Sequence, residues 1–233
     1  MTATLSPTLL AALLAVDTPT ICNALEVVVG SRTAQGFTRK PFVATEPAAR
    51  LVGYARTATL RAAAPGSMSA EEKERRRLAY YEHVVSGSGP QITVIQDLDS
   101  EPGIGAFWGE VNSALHHGLG VAGCLTNGAV RDLDALTPGF PIFAGTVSPS
   151  HAWVHIVDIG CEVELHGLPI QDGDLLHADR HGAVVIPPGL VEAIPDAIAF
   201  MARKEAVLIE AARQPGFTPA HLREAWARMK TVS

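Results

Sequence analysis

Lysine is scarce in this chain: its 233 residues include only Lys40, Lys73, Lys204 and Lys230. Three of these fall on polar helix faces and one in a loop, where nothing desolvates the amine, so a Schiff-base lysine is not expected. Cysteine is equally sparse. Cys22, Cys124 and Cys161 are far apart, odd in number and set in apolar segments, without CxxC or Cys/His spacing. This argues against zinc or a redox pair and leaves reduced, buried thiols. Positive charge is not in excess either. A formal net charge of −6 argues against a general nucleic-acid binder, which needs a basic face to neutralise phosphates. The one basic cluster, Lys73 to Arg77, is interleaved with Glu71, Glu72 and Glu74 and reads as a solvated helix face.

Long apolar runs are missing too. Leu9 to Val16 falls far short of the roughly 20 residues a membrane span needs, and no basic region precedes it as in a signal peptide. A soluble, cytoplasmic protein with no membrane partner is expected. The glycines at Gly103 and Gly105 do not complete GxGxxG, because Trp108 stands where the third glycine would be. With no Walker sequence and no GxSxG elbow, no nucleotide cofactor and no serine hydrolase are expected.

Core-forming residues are plentiful: 47% of the chain is hydrophobic and 18% charged, the balance of a globular protein. Ser6-Pro7 signals a helix start, with Leu9, Leu10, Leu13 and Leu14 on one face. Thr18-Pro19 repeats the signal for a helix through Val28, ending at Gly30. Ser31 to Ala49 reads as loop and Leu51 to Leu60 as a strand. Ser69 to Glu72 is a capping box for a helix to Val85, and Ile92 to Leu98 is a strand. Gly109-Glu110 opens a helix stopped at Gly118 and Gly120; a strand from Val121 to Leu125 and a tight Asn127-Gly128 turn follow. Further strands are expected at Ile142 to Ala144, within Trp153 to Leu165, and around the Arg180-His181-Gly182 turn. A long helix runs from about Leu190 to Arg213, bent at Pro195, and Thr218-Pro219 caps a last helix to about Lys230. Without an internal repeat or linker, residues 1–233 read as one α/β domain with a mixed sheet and flanking N- and C-terminal helices.

Three charged side chains then stand out. Arg131 and Asp132 follow a strand and a tight turn, a usual place for functional groups on a rigid scaffold. The guanidinium can grip a carboxylate or oxyanion while the carboxylate takes a hard divalent cation; alternatively, Asp132 is a helix cap and Arg131 pairs with a surface acid. Glu110 lies at a helix N-terminus, where Gly109 and the N–H groups of Val111 and Asn112 can hold a substrate carboxylate. Its plainer role is to complement the helix dipole. Glu205 interrupts an apolar stripe of Ile198, Met201, Ala202, Leu208, Ile209 and Ala212. A carboxylate there needs a local ion pair, a rim position, a metal site or a neighbouring subunit. His177, Asp179 and His181 alternate as a metal triad would, although the turn at Arg180 to Gly182 and the usual structural role of histidine weigh against it. Ser148, His151 and His155 read as polar packing, and His116 and His117 as part buried, part exposed.

Gly109-Glu110, twenty intervening residues and Arg131-Asp132 resemble the motif of the RraA-like family, which includes the 4-hydroxy-4-methyl-2-oxoglutarate/4-carboxy-4-hydroxy-2-oxoadipate aldolases. Gly123 to Asp132 resembles its central motif, Gly173 to Pro187 its later strand pair and Thr20 to Leu25 its early helix. The resemblance implies a swivelling β/β/α-type layered fold and a trimer or hexamer, with residues 190–230 at the subunit interface. It implies a divalent-metal-dependent (class II) lyase that cleaves small 4-hydroxy-2-oxo diacids to pyruvate through an enolate, with oxaloacetate decarboxylation alongside. Asp132 would be the direct ligand of Mg²⁺ or Mn²⁺, Arg131 the clamp on the 2-oxo acid, Glu110 the proton shuttle and Glu205 a carboxylate lent by an adjacent subunit. The chain departs from the family at Glu110, usually Asp in the metal-dependent aldolases, and at Asn23 and Asn127. A non-catalytic binding protein that regulates ribonuclease activity is the alternative, since fold does not fix function.

Overall fold

A computed structural model describes residues 5–232. Its backbone is an eight-stranded mixed sheet centred on β2 (Leu51–Arg61). Nearly every residue of β2 is buried, which suits a strand covered on both faces. On one edge β2 pairs in parallel with β3 (Gln91–Asp97), followed by β5 (Gly123–Thr126) and β7 (Ile142–Ala144). Short β1 (Val43–Ala44) closes that side antiparallel to β7. The other edge of β2 is shared. Its first residues pair with β12 (Leu175–Asp179), which hairpins to β13 (Gly182–Ile186), and its last residues pair with β9 (His155–Ile159), the register shifting between Thr59 and Leu60.

Two parallel steps of the sheet carry helical crossovers. Helix α3 (Ala70–Val84) joins β2 to β3, and α4 (Glu110–Gly118) lies between β3 and β5. A second, three-stranded parallel sheet runs β4 (Ala106–Trp108), β6 (Ala129–Val130), β8 (Thr146–Val147). These strands of two or three residues carry too little periodicity to be visible in the sequence. Strands β10 (Val163–Leu165) and β11 (Leu168–Ile170) form a hairpin. It covers a cluster with Leu51, Ala55, Ile92, Val94 and Phe143. Tyr80 and Val84 of α3 pack with Phe107, Trp108, Ile95 and Ile142 in a second cluster.

The N- and C-terminal helices make a third. Helices α1 (Pro7–Leu14) and α2 (Thr18–Val29) and the start of α5 (Ile194–Ala212) pack Leu9, Leu13, Ile21 and Ile194 on β12 and β13. Helix α6 (Pro219–Met229) lies against α5. Ser6, Ser69 and Thr218 each accept the expected N-cap hydrogen bond. Two boundaries differ from expectation. Asp17, not Thr18, caps α2, accepting from Thr20 N at 3.0 Å, because the Thr18 hydroxyl is drawn to His177 Nδ1 at 2.9 Å. Pro195 does not bend a long helix; a 3-10 turn (Val191–Ala193) precedes it and Pro195 sits in the first turn of α5, where its missing N–H costs nothing. Among the described residues no single helix is long and apolar enough to cross a membrane.

Candidate functional site

Strands β4 and β6 end side by side. Trp108 stands opposite Val130 in their parallel register, so the residues that leave the two strands, Gly109 and Arg131, emerge together. Arg131 N donates to Trp108 O at 2.9 Å. The carboxyl ends of adjacent parallel strands are the usual place for a ligand in an α/β protein. Here one end runs into α4 and the other into Arg131-Asp132.

Gly109 has extended backbone, φ −167° and ψ −165°, which any residue adopts. Space is what requires glycine. A Cβ would lie 2.5 Å from Asp132 Oδ2 and 3.1 Å from Arg131 Cγ. Asp132 itself has φ 54°, a left-handed conformation that Asp tolerates better than most residues. A turn closed by Ala135 N donating to Asp132 O at 2.8 Å holds it. That conformation aims the carboxylate back at α4, where Oδ2 accepts the Glu110 N–H at 3.2 Å. Arg131 Nη1 lies 3.6 Å from Asp132 Oδ1.

The expected trio of Glu110, Arg131 and Asp132 therefore lines one open depression of about 400 Å³. Val111, Leu133, Asp134 and Ala135 complete it. Sequence reasoning passed over the last three, although their adjacency to Asp132 in a turn was a usable signal. The Val111 and Asn112 N–H groups belong to the first turn of α4 and have no intrahelical acceptor.

That first turn is stiffened from behind. Tyr81 Oη donates to Asn112 Oδ1 at 2.7 Å, and His116 Nδ1 bonds Asn112 O at 2.6 Å. The other ring nitrogen of His116 meets Tyr80 Oη at 2.7 Å, which in turn meets Thr93 Oγ1 at 2.8 Å. Burial pushes His116 down to about 4, against a smaller opposing pull from Asn112 O. A neutral imidazole suits this wholly buried position. His117, by contrast, is exposed.

A hard divalent cation fits the donor set. The Asp132 carboxylate is part-exposed and accepts one long N–H bond, leaving lone pairs for a ligand. No group of three His, Cys, Asp or Glu that could cage a metal occurs among the described residues. An ion held by one carboxylate and otherwise by water and substrate oxygens is the pattern of Mg²⁺ rather than of zinc.

The remaining candidates go elsewhere. His177 is tied to Thr18 through Nδ1 and to Leu13 O and Val16 O through Nε2. Asp179 accepts from Thr18 N and from His181 N. The turn and the structural role weighed for these residues suit this geometry: His177 and Asp179 fasten the α1–α2 corner to β12, and His181 bonds Asp179 across the turn. Ser148 Oγ donates to Ile104 O at 3.0 Å and His155 Nδ1 bonds Trp153 O at 2.7 Å, the polar packing expected of them. The cysteines are free thiols, and burial raises Cys22 to about 11. Glu205 is exposed on α5 and shares a different depression with Asn23, Glu26, Arg32 and Met201. It does not line the depression of Asp132.

These features define an α/β protein with an open depression, lined by Glu110, Arg131 and Asp132, at the carboxyl ends of short parallel strands. The model of one family, RraA-like (Aldolase/RraA), matches residues 18–185, and the chain belongs to that family. A protein of Halalkalibacterium halodurans named "Putative 4-hydroxy-4-methyl-2-oxoglutarate aldolase" is 40% identical over 76 residues, 32% of this chain. The match spans 36% of that relative's length. An uncharacterized protein of Pseudomonas syringae pv. tomato superposes with a TM-score of 0.72 at 22% identity, covering 98% of this chain and 97% of its own. Streptomyces coelicolor RraAS2, described as an unusual member of the RNase ES inhibitor RraA family, gives 0.61 at 22% identity, covering 91% of this chain and 98% of its own. Identity at that level carries the fold alone.

Proposed function

We propose that this protein is a divalent-metal-dependent carbon–carbon lyase that releases pyruvate from small 4-hydroxy-2-oxo acids, with oxaloacetate decarboxylation as a side activity. One observation carries the reading: a guanidinium, a carboxylate open to a hard cation and a helix N-terminus converge at the ends of β4 and β6. The name of the partial relative from Halalkalibacterium halodurans supports the reaction class.

Asp132 would hold the cation, Mg²⁺ or Mn²⁺, with water completing its shell. Bound there, it supplies Lewis-acid polarisation of the 2-oxo group. Arg131 grips the substrate carboxylate and stabilises the negative charge that grows on the keto oxygen. The Val111 and Asn112 N–H groups add an anion-binding cradle. Glu110, exposed at the rim, accepts the C4 hydroxyl proton through water. The C4 oxygen then becomes a carbonyl as the C3–C4 bond breaks, its electron pair passing through C3 to the 2-oxo oxygen; the carbonyl fragment leaves, and reprotonation at C3 yields pyruvate. Glu205 is the carboxylate we assign to a neighbouring copy's site, within a trimer or hexamer.

A coupled pyruvate assay with added Mg²⁺ or Mn²⁺, against oxaloacetate and a 4-hydroxy-2-oxo acid, tests the assignment. Metal-dependent release is expected. Chelator-insensitive turnover, or undiminished release by Arg131→Ala, overturns it; no release from any such substrate moves the reading to a binding role.

A further inference from the structure

Both backbone polar groups of Glu110 lead to the segment that carries Asp132. Its N–H donates to Asp132 Oδ2 at 3.2 Å. Its carbonyl accepts from Ser113 Oγ at 2.8 Å, and the same Oγ accepts the Thr137 N–H at 3.0 Å. Thr137 lies five residues beyond Asp132, in the stretch whose turn is closed by Ala135 N and Asp132 O. Ser113 therefore relays α4's first turn to the turn that presents the carboxylate.

A hydroxyl offers one donor and two acceptor sites, and this relay uses both kinds. The hydrogen goes to Glu110 O, which is nearer than Thr137 Oγ1 at 3.3 Å. Ser113 is wholly buried within one chain, so water does not replace these bonds if the hydroxyl is removed, and a neighbouring copy does not reach it.

The distances rank the two links. The bond from Glu110 N to Asp132 is at the long end for N–H···O and ends on a part-exposed carboxylate. A cation on that carboxylate competes for its lone pairs. The Ser113 bonds are shorter, buried and untouched by the ion.

We infer that Ser113 is a positioning residue for the cation site: its hydroxyl fixes the turn that presents Asp132 against the first turn of α4. The inference rests on the assignment of the cation to Asp132.

Mn²⁺ alone, titrated into the full-length protein and followed by the electron paramagnetic resonance of the free ion, tests it. Ser113→Ala is expected to weaken Mn²⁺ binding about fivefold. Ser113→Cys differs by one atom and keeps a weak donor and acceptor; a loss of about twofold is expected, and this variant decides the matter if the alanine variant does not fold. Thr18→Val removes another buried hydroxyl, the one bonded to His177 at 2.9 Å, and is expected to lower the melting temperature without moving Mn²⁺ affinity. Wild-type affinity in the folded Ser113 variants overturns the inference and leaves the lyase reading intact, as does an equal loss in Thr18→Val. A wild type that binds no Mn²⁺, or whose binding survives Asp132→Asn, removes the cation assignment and the inference with it.

Discussion

Asp132 caps the helix that Glu110 begins: its Oδ2 accepts the Glu110 N–H at 3.2 Å across 22 residues of sequence. Gly109, at the N-cap position, offers no side chain for the task. The start of α4 and the carboxylate assigned to the cation are therefore one structural unit, so the cap and catalytic readings of Asp132 are compatible. Asp132→Asn separates them. Asparagine tolerates φ 54° and keeps an oxygen for the Glu110 N–H, but loses the charge. Thermal unfolding is expected to move by no more than about 2 °C, while pyruvate release falls at least about a hundredfold. A variant with unimpaired, still metal-dependent turnover would show that the ion binds elsewhere.

Gly109→Ala makes the complementary change. Its backbone is extended, so alanine meets no conformational strain, but the added methyl would lie 2.5 Å from Asp132 Oδ2. The carboxylate must turn away, losing its bond to Glu110 N and its place beside Arg131. Stability is expected to fall by about 1 kcal/mol, the value of a lost cap, and Mg²⁺ affinity to drop with it. Denaturant unfolding and metal titration measure the two effects separately. A drop in stability with intact metal affinity would show that the crowding is relieved without moving the carboxylate.

What was legible in the sequence follows the range of the forces involved. The caps at Ser6, Ser69 and Thr218 are local, and each formed where its sequence signal stood. Thr18 carried the same local signal and lost its cap role to a residue 159 positions away, His177. The helix–turn–strand unit around Glu110, Arg131 and Asp132 was readable because one short stretch contains it. The β4–β6–β8 sheet that brings Gly109 to Arg131 was not, since its strands are too short for any period to show. Glu205 read as an interruption in a buried stripe. Only the first turn of α5 buries side chains fully, however, and Ile209 is 45% exposed.

Acid sensitivity should begin with His116. Burial lowers it to about 4 from 6.5, so below pH 6.5 the unfolded chain binds a proton that the folded chain refuses. Stability therefore falls as pH drops from about 6.5 to 4, at up to about 1.4 kcal/mol per pH unit. His177, also lowered chiefly by burial, contributes with the same sign. His116→Gln should reduce the slope in that window without abolishing it, whatever its effect on absolute stability. Urea denaturation at a series of pH values reads the slope directly; a slope identical to wild type would mean that His116 titrates normally in the fold.

A second acidic window belongs to Asp172. Burial would raise it, but His83 Nε2 at 2.9 Å, the Thr57 N–H at 2.9 Å and Arg56 together bring it down to about 2. A depressed carboxylate stabilises the fold above its unfolded value of 3.8, and that contribution is lost as pH falls toward 2. The amount is about 2 kcal/mol. Asp172→Asn should destabilise the protein at neutral pH yet flatten the stability curve between pH 4 and 2. An unchanged acid limb would rule out the carboxylate as its source.

Glu205 gives the sharpest test of assembly. Its depression, on α2 and α5 with Asn23 and Arg32, shares no lining residue with that of Arg131 and Asp132. If Glu205 serves a neighbour's site, Asp132→Asn and Glu205→Gln are each inactive as pure oligomers, yet their mixture is not. A working site needs an intact Asp132 from one copy and an intact Glu205 from the next. Random assembly from equal amounts meets both conditions in about a quarter of sites in a ring of identical interfaces. Mixing the two variants under conditions where subunit exchange is demonstrated should therefore restore about a quarter of wild-type turnover. Exchange without recovery would confine Glu205 to its own protomer, and full activity of Glu205→Gln alone would remove it from the reaction.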